Sequence, residues 1–310
     1  MKHYIFALSL SAAAFTVAAQ PLLTPTELSE VLSNAEIRVI DIRDPQAYQE
    51  GHIPGAVNAP YAVWRGPAEN PGQTPALTEL TKVIQNLGLT PETHAVVISS
   101  GNSDTDFGSA ARVYWTLRLA GLSDLSILHG GMQTWQQQGL DVSNQPVTVQ
   151  PSDYTPTENA SVNVTREALA SRNTATSSRL IDARPAAFYE GETSHPGAKV
   201  AGTLEGAENL SHALWFKSGG ELQSKDEIRA IAQSHGLLKP DQEIVSFCNT
   251  GHWAATNWFV LSEVLEQPDV KLYAGSMVDW TQADEALPVQ NAPSRVTTLW
   301  RQTKDWFSSL

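Results

Sequence analysis

The chain has 310 residues, 41% of them hydrophobic and 17% charged, and a formal net charge of −13. That length accommodates two ordinary domains whose cores need no disulfide staples. So acidic a surface argues against nucleic acid or anionic membrane as a partner, and an anionic substrate would have to be met by local positive charge from helix N-termini and a few arginines.

Residues 1–19 have the pattern of a secretory signal. Lys2 and His3 form a short basic region, Tyr4 to Val17 an apolar one, and Val17-Ala18-Ala19 puts small residues before Gln20. The apolar run is short for a membrane span. The expectation is cleavage and export to a bacterial periplasm, with no membrane span afterwards.

Next, Thr26 to Leu32 has amphipathic helical spacing, and Ile37-Arg-Val-Ile-Asp41 reads as a strand that exits through Arg43 and Pro45. Gly51-His-Ile-Pro-Gly-Ala-Val-Asn58 suggests a turn and a second short strand. Leu77 to Leu87 is a helix ended by Gly88. His94 to Ser100 is a buried strand, Asp106 to Ala120 a helix, and Leu125 to His129 another strand, with a short helix beginning at Gly130 to Trp135. Strands alternating with helices imply an α/β fold with a parallel sheet covered on both faces.

The second half repeats the first. Arg179-Leu-Ile-Asp-Ala-Arg184-Pro matches Arg38-Val-Ile-Asp-Ile-Arg43-Asp-Pro, and Glu243-Ile-Val-Ser-Phe-Cys248 takes the place of Ala95-Val-Val-Ile-Ser-Ser100. The helix expected from about Trp253 to Leu265 answers Ser109 to Ala120, and Leu272 to Trp280 answers Ile127 to Trp135. The expected division is a signal at 1–19, a first unit at 22–142, a linker at 143–160, a second unit at 161–290 and an amphipathic tail at 294–310. The tail carries Leu299, Trp300, Trp306 and Phe307 and is expected to pack against the body.

Cys248 is the only cysteine. In an exported chain such a residue is inert and buried, an intermolecular disulfide partner, or a working thiol. Its place between a strand end and a helix start favours the last, because the thiolate is the nucleophile and helix N–H groups stabilise negative charge. The loop Cys248-Asn-Thr-Gly-His-Trp-Ala254 suits an anion-binding nest, with Gly251 easing the backbone. Asn249 to His252 are small and polar, so the thiol is expected to be unsealed. The corresponding place in the first unit is Ser99 or Ser100, which leaves one live site and one silent copy.

In order, twice and at matching spacing, these motifs resemble the rhodanese sulfurtransferases across residues 22–290. The resemblance rests on Val39 to Pro45 with Gly51 to Asn58, on Leu180-Ile-Asp-Ala-Arg-Pro185, on the glycine–aromatic ends at Gly130 to Trp135 and Gly275 to Trp280, and on the cysteine at a strand end. It implies two tandem rhodanese-like domains, each a mainly parallel sheet flanked by helices, the first catalytically silent. It implies ping-pong transfer of sulfane sulfur through a Cys248 persulfide, from thiosulfate or 3-mercaptopyruvate to cyanide, a thiol or a protein cysteine. The N–H groups of Asn249, Thr250, Gly251, His252, Trp253 and Ala254 would hold the charge. Arg184, in the Asp-x-Arg motif, would reach the donor anion; its other reading is a salt bridge or loop anchor around Asp182.

The sequence departs from the family pattern at several places. Asn249 and Thr250 are neutral where thiosulfate enzymes place basic residues. Ala186, Ala187 and Phe188 supply no second arginine, and the Gly-His-Ile-Pro-Gly motif is replaced by Ala198-Lys-Val-Ala-Gly202. The donor therefore stays open. His252 either titrates near neutrality beside the thiol or turns its ring to solvent, and Trp253 is a pocket wall or a lid. No metal-ligand spacing or glycine-rich nucleotide loop is present, so no cofactor is expected. A phosphatase of this fold class needs an arginine six residues after the cysteine, where Ala254 stands. The alternative function is an exported persulfide carrier that delivers sulfur to a protein partner with little small-molecule turnover.

Overall fold

The computed structural model describes residues 20–172, 178–218 and 220–293. The signal-like segment 1–19 and the tail 294–310 lie outside the described residues. The first unit comprises β1 (Leu22–Leu23), α1 (Pro25–Val31), β2 (Ile37–Asp41), α2 (Pro45–Glu50), β3 (Val57–Asn58), α3 (Leu77–Asn86), β4 (His94–Ile98), α4 (Asp104–Leu119), β5 (Leu125–Leu128) and α5 (Gly131–Gln137). The second comprises α6 (Arg166–Ala170), β6 (Ser178–Asp182), α7 (Ala186–Tyr189), β7 (Thr203–Leu204), β8 (Glu208–Asn209), α8 (Lys225–Ser234), β9 (Glu243–Phe247), α9 (Trp253–Phe259), β10 (Val270–Leu272), α10 (Ser276–Thr281) and β11 (Val289–Gln290).

Among the described residues, the first sheet has the order β1-β5-β4-β2-β3 and the second β10-β9-β6-β8, all pairs parallel, with β7 and β11 paired antiparallel beside them. The α/β expectation, two tandem units with helices on both faces, is what the chain builds. Successive strand residues point to opposite faces. Val96 and Ile98 therefore pack with Leu28, Met132 and Trp135, while Ala95 and Val97 pack under α4. Both faces of the strand are dry, which explains its unbroken apolar run.

The repeat holds at the level of register. Ile37 to Asp41 pair with His94 to Ile98, and Ser178 to Asp182 pair with Glu243 to Phe247. Met132 N–H donates to the Ser99 carbonyl as Met277 N–H does to that of Cys248, at 2.9 and 3.0 Å, so Ser99 rather than Ser100 occupies the cysteine's place. One expected correspondence is corrected. Arg43 Nη2 donates to the Gly51 carbonyl and Arg184 Nη2 to that of Gly202, both at 2.7 Å. Asn58 Nδ2 donates to the carbonyls of Asp41 and Arg43, and Asn209 Nδ2 to those of Asp182 and Arg184. The counterpart of Gly51 to Asn58 is thus Gly202-Thr-Leu-Glu-Gly-Ala-Glu-Asn209, not Ala198 to Gly202. Residues 191–201 are an insertion ahead of it. The second correction concerns the helix after Cys248. It is α-helical only to Phe259, and Val260–Val264 form a π-helical turn in which Leu265 N–H reaches the Val260 carbonyl.

The segment between the units runs along the first, with Ser152 Oγ donating to the Leu89 carbonyl and the Tyr154 hydroxyl to that of Ala120. The units meet through α4 and α9. Most of α4 is buried all round, as befits a helix packed on several sides. Phe107 and Tyr114 meet Phe259 edge-on at 5.6 and 5.1 Å, and the Tyr114 hydroxyl donates to Glu263 at 2.7 Å. One core therefore contains residues of both units, and it lays the start of α4 over the loop after Cys248. No described helix is long and apolar enough to cross a membrane.

The turn after β4 gives a sharp test of this backbone. Gly101 has φ +83°, and a Cβ there would stand 1.9 Å from the Gly130 carbonyl oxygen. Gly101→Ala should cost more than about 3 kcal/mol, read as a lower urea midpoint with an unchanged slope.

Candidate active site

Cys248 directly follows β9, and the chain turns at Gly251, φ +68°, into α9. The N–H groups of Cys248 and Gly251 both donate to Ser276 Oγ, at 3.0 and 3.1 Å, and Ser276 Oγ donates to the Tyr273 carbonyl at 2.8 Å. Ser276 is buried and has φ +56°, a conformation that costs a residue with a side chain. Its hydroxyl accounts for its presence there: one oxygen ties both ends of the loop. Gly131 fills the same place in the first unit, also with positive φ. A Cβ on Gly251 would meet the Ala274 carbonyl oxygen and Arg112 Nη1, each at 2.4 Å. Among the described residues, no protein oxygen accepts from the N–H groups of Asn249, Thr250, His252, Trp253 or Ala254. In the first unit the corresponding turn holds a carboxylate of its own: the N–H groups of Gly101 and Asn102 donate to Asp106.

The sequence-predicted side chains are gathered here, but several serve otherwise than expected. Arg184 is only 2% exposed. Its Nε and Nη2 grip Asp182 at 2.9 and 2.6 Å, Nη2 also donates to the Gly202 carbonyl, and Nη1 donates to Asn249 Oδ1 at 3.1 Å. It occupies the loop-anchor role, and the Asn249 side chain is its partner. The N–H of Gly251 is engaged by Ser276. Ala254 is buried, and its carbonyl accepts from Ser246 Oγ. His252 meets neither expectation. Its Nε2–H donates to the Thr105 carbonyl at 2.6 Å, and its Nδ1 faces the Tyr61 hydroxyl at 2.8 Å. That hydroxyl in turn accepts from Arg65 Nη1 at 2.9 Å, so the hydrogen bonds run from Arg65 through Tyr61 and His252 to the Thr105 carbonyl. Burial first, and the nearby Arg65 charge second, push the His252 imidazolium down to about 3, so the ring is neutral. Trp253 stacks on His212 at 4.9 Å and donates from Nε1 to Thr105 Oγ1, which makes it a wall against the first unit.

The thiol is sealed, contrary to the expectation from its polar neighbours. Cys248 is 1% exposed. Residues of the first unit that the sequence reading did not single out lie against its loop. Arg65 Nη2 and Arg112 Nη1 both donate to the Thr250 carbonyl, at 2.9 and 3.3 Å. No carboxylate lies within 4.0 Å of either guanidinium among the described residues. The local positive charge that an acidic protein needs for an anion is therefore supplied across the interface. One signal for Arg112 was present in the sequence, a charge inside the apolar run Ala110-Ala-Arg-Val-Tyr-Trp115.

The rhodanese-like domain family matches residues 24–138 and 165–283. The chain belongs to the rhodanese family. A putative thiosulfate sulfurtransferase of Synechococcus elongatus is 30% identical over 299 residues, covering 92% of this chain and 89% of that protein. A 3-mercaptopyruvate sulfurtransferase of Escherichia coli K12 is 34% identical over 279 residues, covering 85% of this chain and 95% of that protein. A solved structure of the rhodanese-fold protein SseA from Escherichia coli superposes with a TM-score of 0.70 at 28% identity, covering 83% of this chain and 99% of that one. In this rhodanese the cysteine loop is one side of the site, and the cysteine-free unit is the other.

Two measurements test these assignments. Arg184→Met leaves Asp182 buried without its cation and should cost about 3–5 kcal/mol in urea unfolding. The second concerns pH. An unfolded histidine titrates near 6.5, well above the folded value, so the neutral His252 ring contributes fully above about pH 6.5 and progressively less as pH falls. Between pH 6.5 and 5 the wild type should lose at most about 2 kcal/mol more stability than His252→Gln, measured as the difference between their unfolding free energies at the two pH values.

Proposed function

We propose that this rhodanese moves sulfane sulfur from a small anionic donor, thiosulfate or 3-mercaptopyruvate, to a thiophilic acceptor through a persulfide on Cys248. The observation that carries the reading is the loop's polarity. Among the described residues, a single thiol sits in a turn where the N–H groups of Asn249, Thr250, His252, Trp253 and Ala254 have no protein acceptor, under two guanidinium groups that have no carboxylate. Such a turn suits an anionic sulfur.

The Cys248 thiolate attacks the outer sulfur of thiosulfate, the S–S bond breaks, and sulfite leaves with the bonding pair. With 3-mercaptopyruvate the C–S bond breaks instead, and the departing carbon takes a proton to give pyruvate. The negative terminal sulfur is held by the N–H groups of Asn249, Thr250, His252, Trp253 and Ala254. A thiolate or cyanide then takes that sulfur, and Cys248 departs as thiolate, which completes two-step covalent catalysis. Arg65, partly exposed beside the loop, takes the donor-facing role that the motif suggested for Arg184. The insertion 191–201 contributes His195 near it, whose ring is held below its ordinary value by burial and then by the Arg65 charge. The signal-like residues 1–19 support placing this activity in an exported compartment, the periplasm.

Intact mass spectrometry tests the reading. Wild-type protein treated with either donor should gain the mass of one sulfur atom, and Cys248→Ser should gain none. Absence of the adduct with both donors would overturn the proposal. Stable loading without transfer to cyanide or a small thiol would instead mark a persulfide carrier.

A further inference from the structure

Arg112 is a buried charge held by main-chain carbonyls. It is 0% exposed, lies in the middle of α4, and belongs to the unit without a cysteine. Its Nη2 donates to the Gly72 carbonyl at 2.9 Å and its Nη1 to that of Thr250 at 3.3 Å, while its guanidinium lies over the Trp115 ring at 5.0 Å. Its Nε has no partner. An isolated buried cation is expensive, and carbonyl dipoles repay only part of that cost. The fold does not require a cation at this helical position. Asn257 stands at the corresponding place in α9, and it serves with a neutral amide that donates to the Leu210 carbonyl and accepts from Trp215 Nε1.

We propose that Arg112 is the buried counter-charge of the anionic sulfur at Cys248, supplied to the active site by the cysteine-free unit. The guanidinium lies directly against the loop, since a Cβ on Gly251 would reach Nη1 at 2.4 Å. The charged or titratable groups that face it are Arg65, Tyr61, His252 and Cys248. Burial, then the like charge of Arg65, pull the guanidinium down to about 9, still protonated at neutral pH. Negative charge on Tyr61 or Cys248 acts in the opposite direction. Tyr61 is itself pushed up by burial and stays a phenol. Arg112 thereby acts as a positioning residue. It stabilises the thiolate before attack and the persulfide after it, without being consumed. The inference about the persulfide rests on the sulfur-transfer reading, whereas the inference about the thiolate does not.

The experiment compares wild type with Arg112→Lys, which keeps a charge, and Arg112→Met, which keeps bulk without one. Each is assayed for the rate of Cys248 alkylation by iodoacetamide across pH and for sulfur loading from thiosulfate by intact mass. Arg112→Met should alkylate about tenfold more slowly at pH 7, with its profile displaced to higher pH, and should load sulfur more slowly; Arg112→Lys should retain most of both. Equal losses in the two variants would show a hydrogen-bonding role and overturn the proposal, as would unchanged alkylation in Arg112→Met. A measurement on wild type alone guards against variants that do not fold. Persulfide loading should raise the melting temperature, and the neutral methyl disulfide formed with methyl methanethiosulfonate, nearly the same size, should not. Equal shifts for the two adducts would also overturn it. If wild type takes up no sulfur, the sulfur-transfer reading fails on its own, and the alkylation comparison still decides the role of Arg112.

Discussion

The carbonyl of Thr250 receives hydrogen bonds from two arginines of the opposite unit, Arg65 and Arg112. Like charges do not converge on one oxygen unless something holds them there. The holding is done by the shared core of α4 and α9, which fixes Arg112 in the helix and lays the Tyr61–Arg65 turn against the loop. The arrangement spends packing energy to concentrate positive charge beside the cysteine loop of an overall acidic molecule. The orientation of the units, the neutral state of His252 and the burial of Cys248 all depend on that contact.

The two units have diverged around one backbone. At the end of β4 stands Ser99, and Asp106 takes the N–H groups of its turn; at the end of β9 stands Cys248, and no described carboxylate takes the N–H groups of its turn. At the start of the following helix, Gly131 pays little for its positive φ, whereas Ser276 accepts the strain and holds the loop with its hydroxyl. Each difference is local. Together they distinguish a half that carries the cysteine from a half that lays two guanidinium groups against its loop.

Much of this was legible in the sequence. The alternating strands and helices, the internal repeat, Cys248 and the Asp-x-Arg pairs can all be read from residue type and spacing, because they express local geometry. The repeat also contained the Gly202 to Asn209 match. That match was obscured because the insertion 191–201 displaces it and because only its glycines, alanine and asparagine are shared. The covering of the thiol was not legible. Burial of Asn249 and Thr250 depends on a surface more than a hundred residues away in the chain, and no local pattern reports it. His252 illustrates the same limit: its residue type suggested titration or solvent, whereas its neutral state follows from burial and the Arg65 charge and its position from Tyr61 and Thr105. Ser276 was hidden in a glycine–aromatic motif whose apparent purpose was packing.

A thiol with almost no exposed surface is selective by size before it is selective by chemistry. Separating the units would break the hydrogen bonds at Thr250, His252 and Trp253 together. The same seal denies bulky oxidants and stray disulfides access to the lone thiol. The interface between the units is in that sense a sieve, and its mesh is set by side chains that bond the loop around the sulfur.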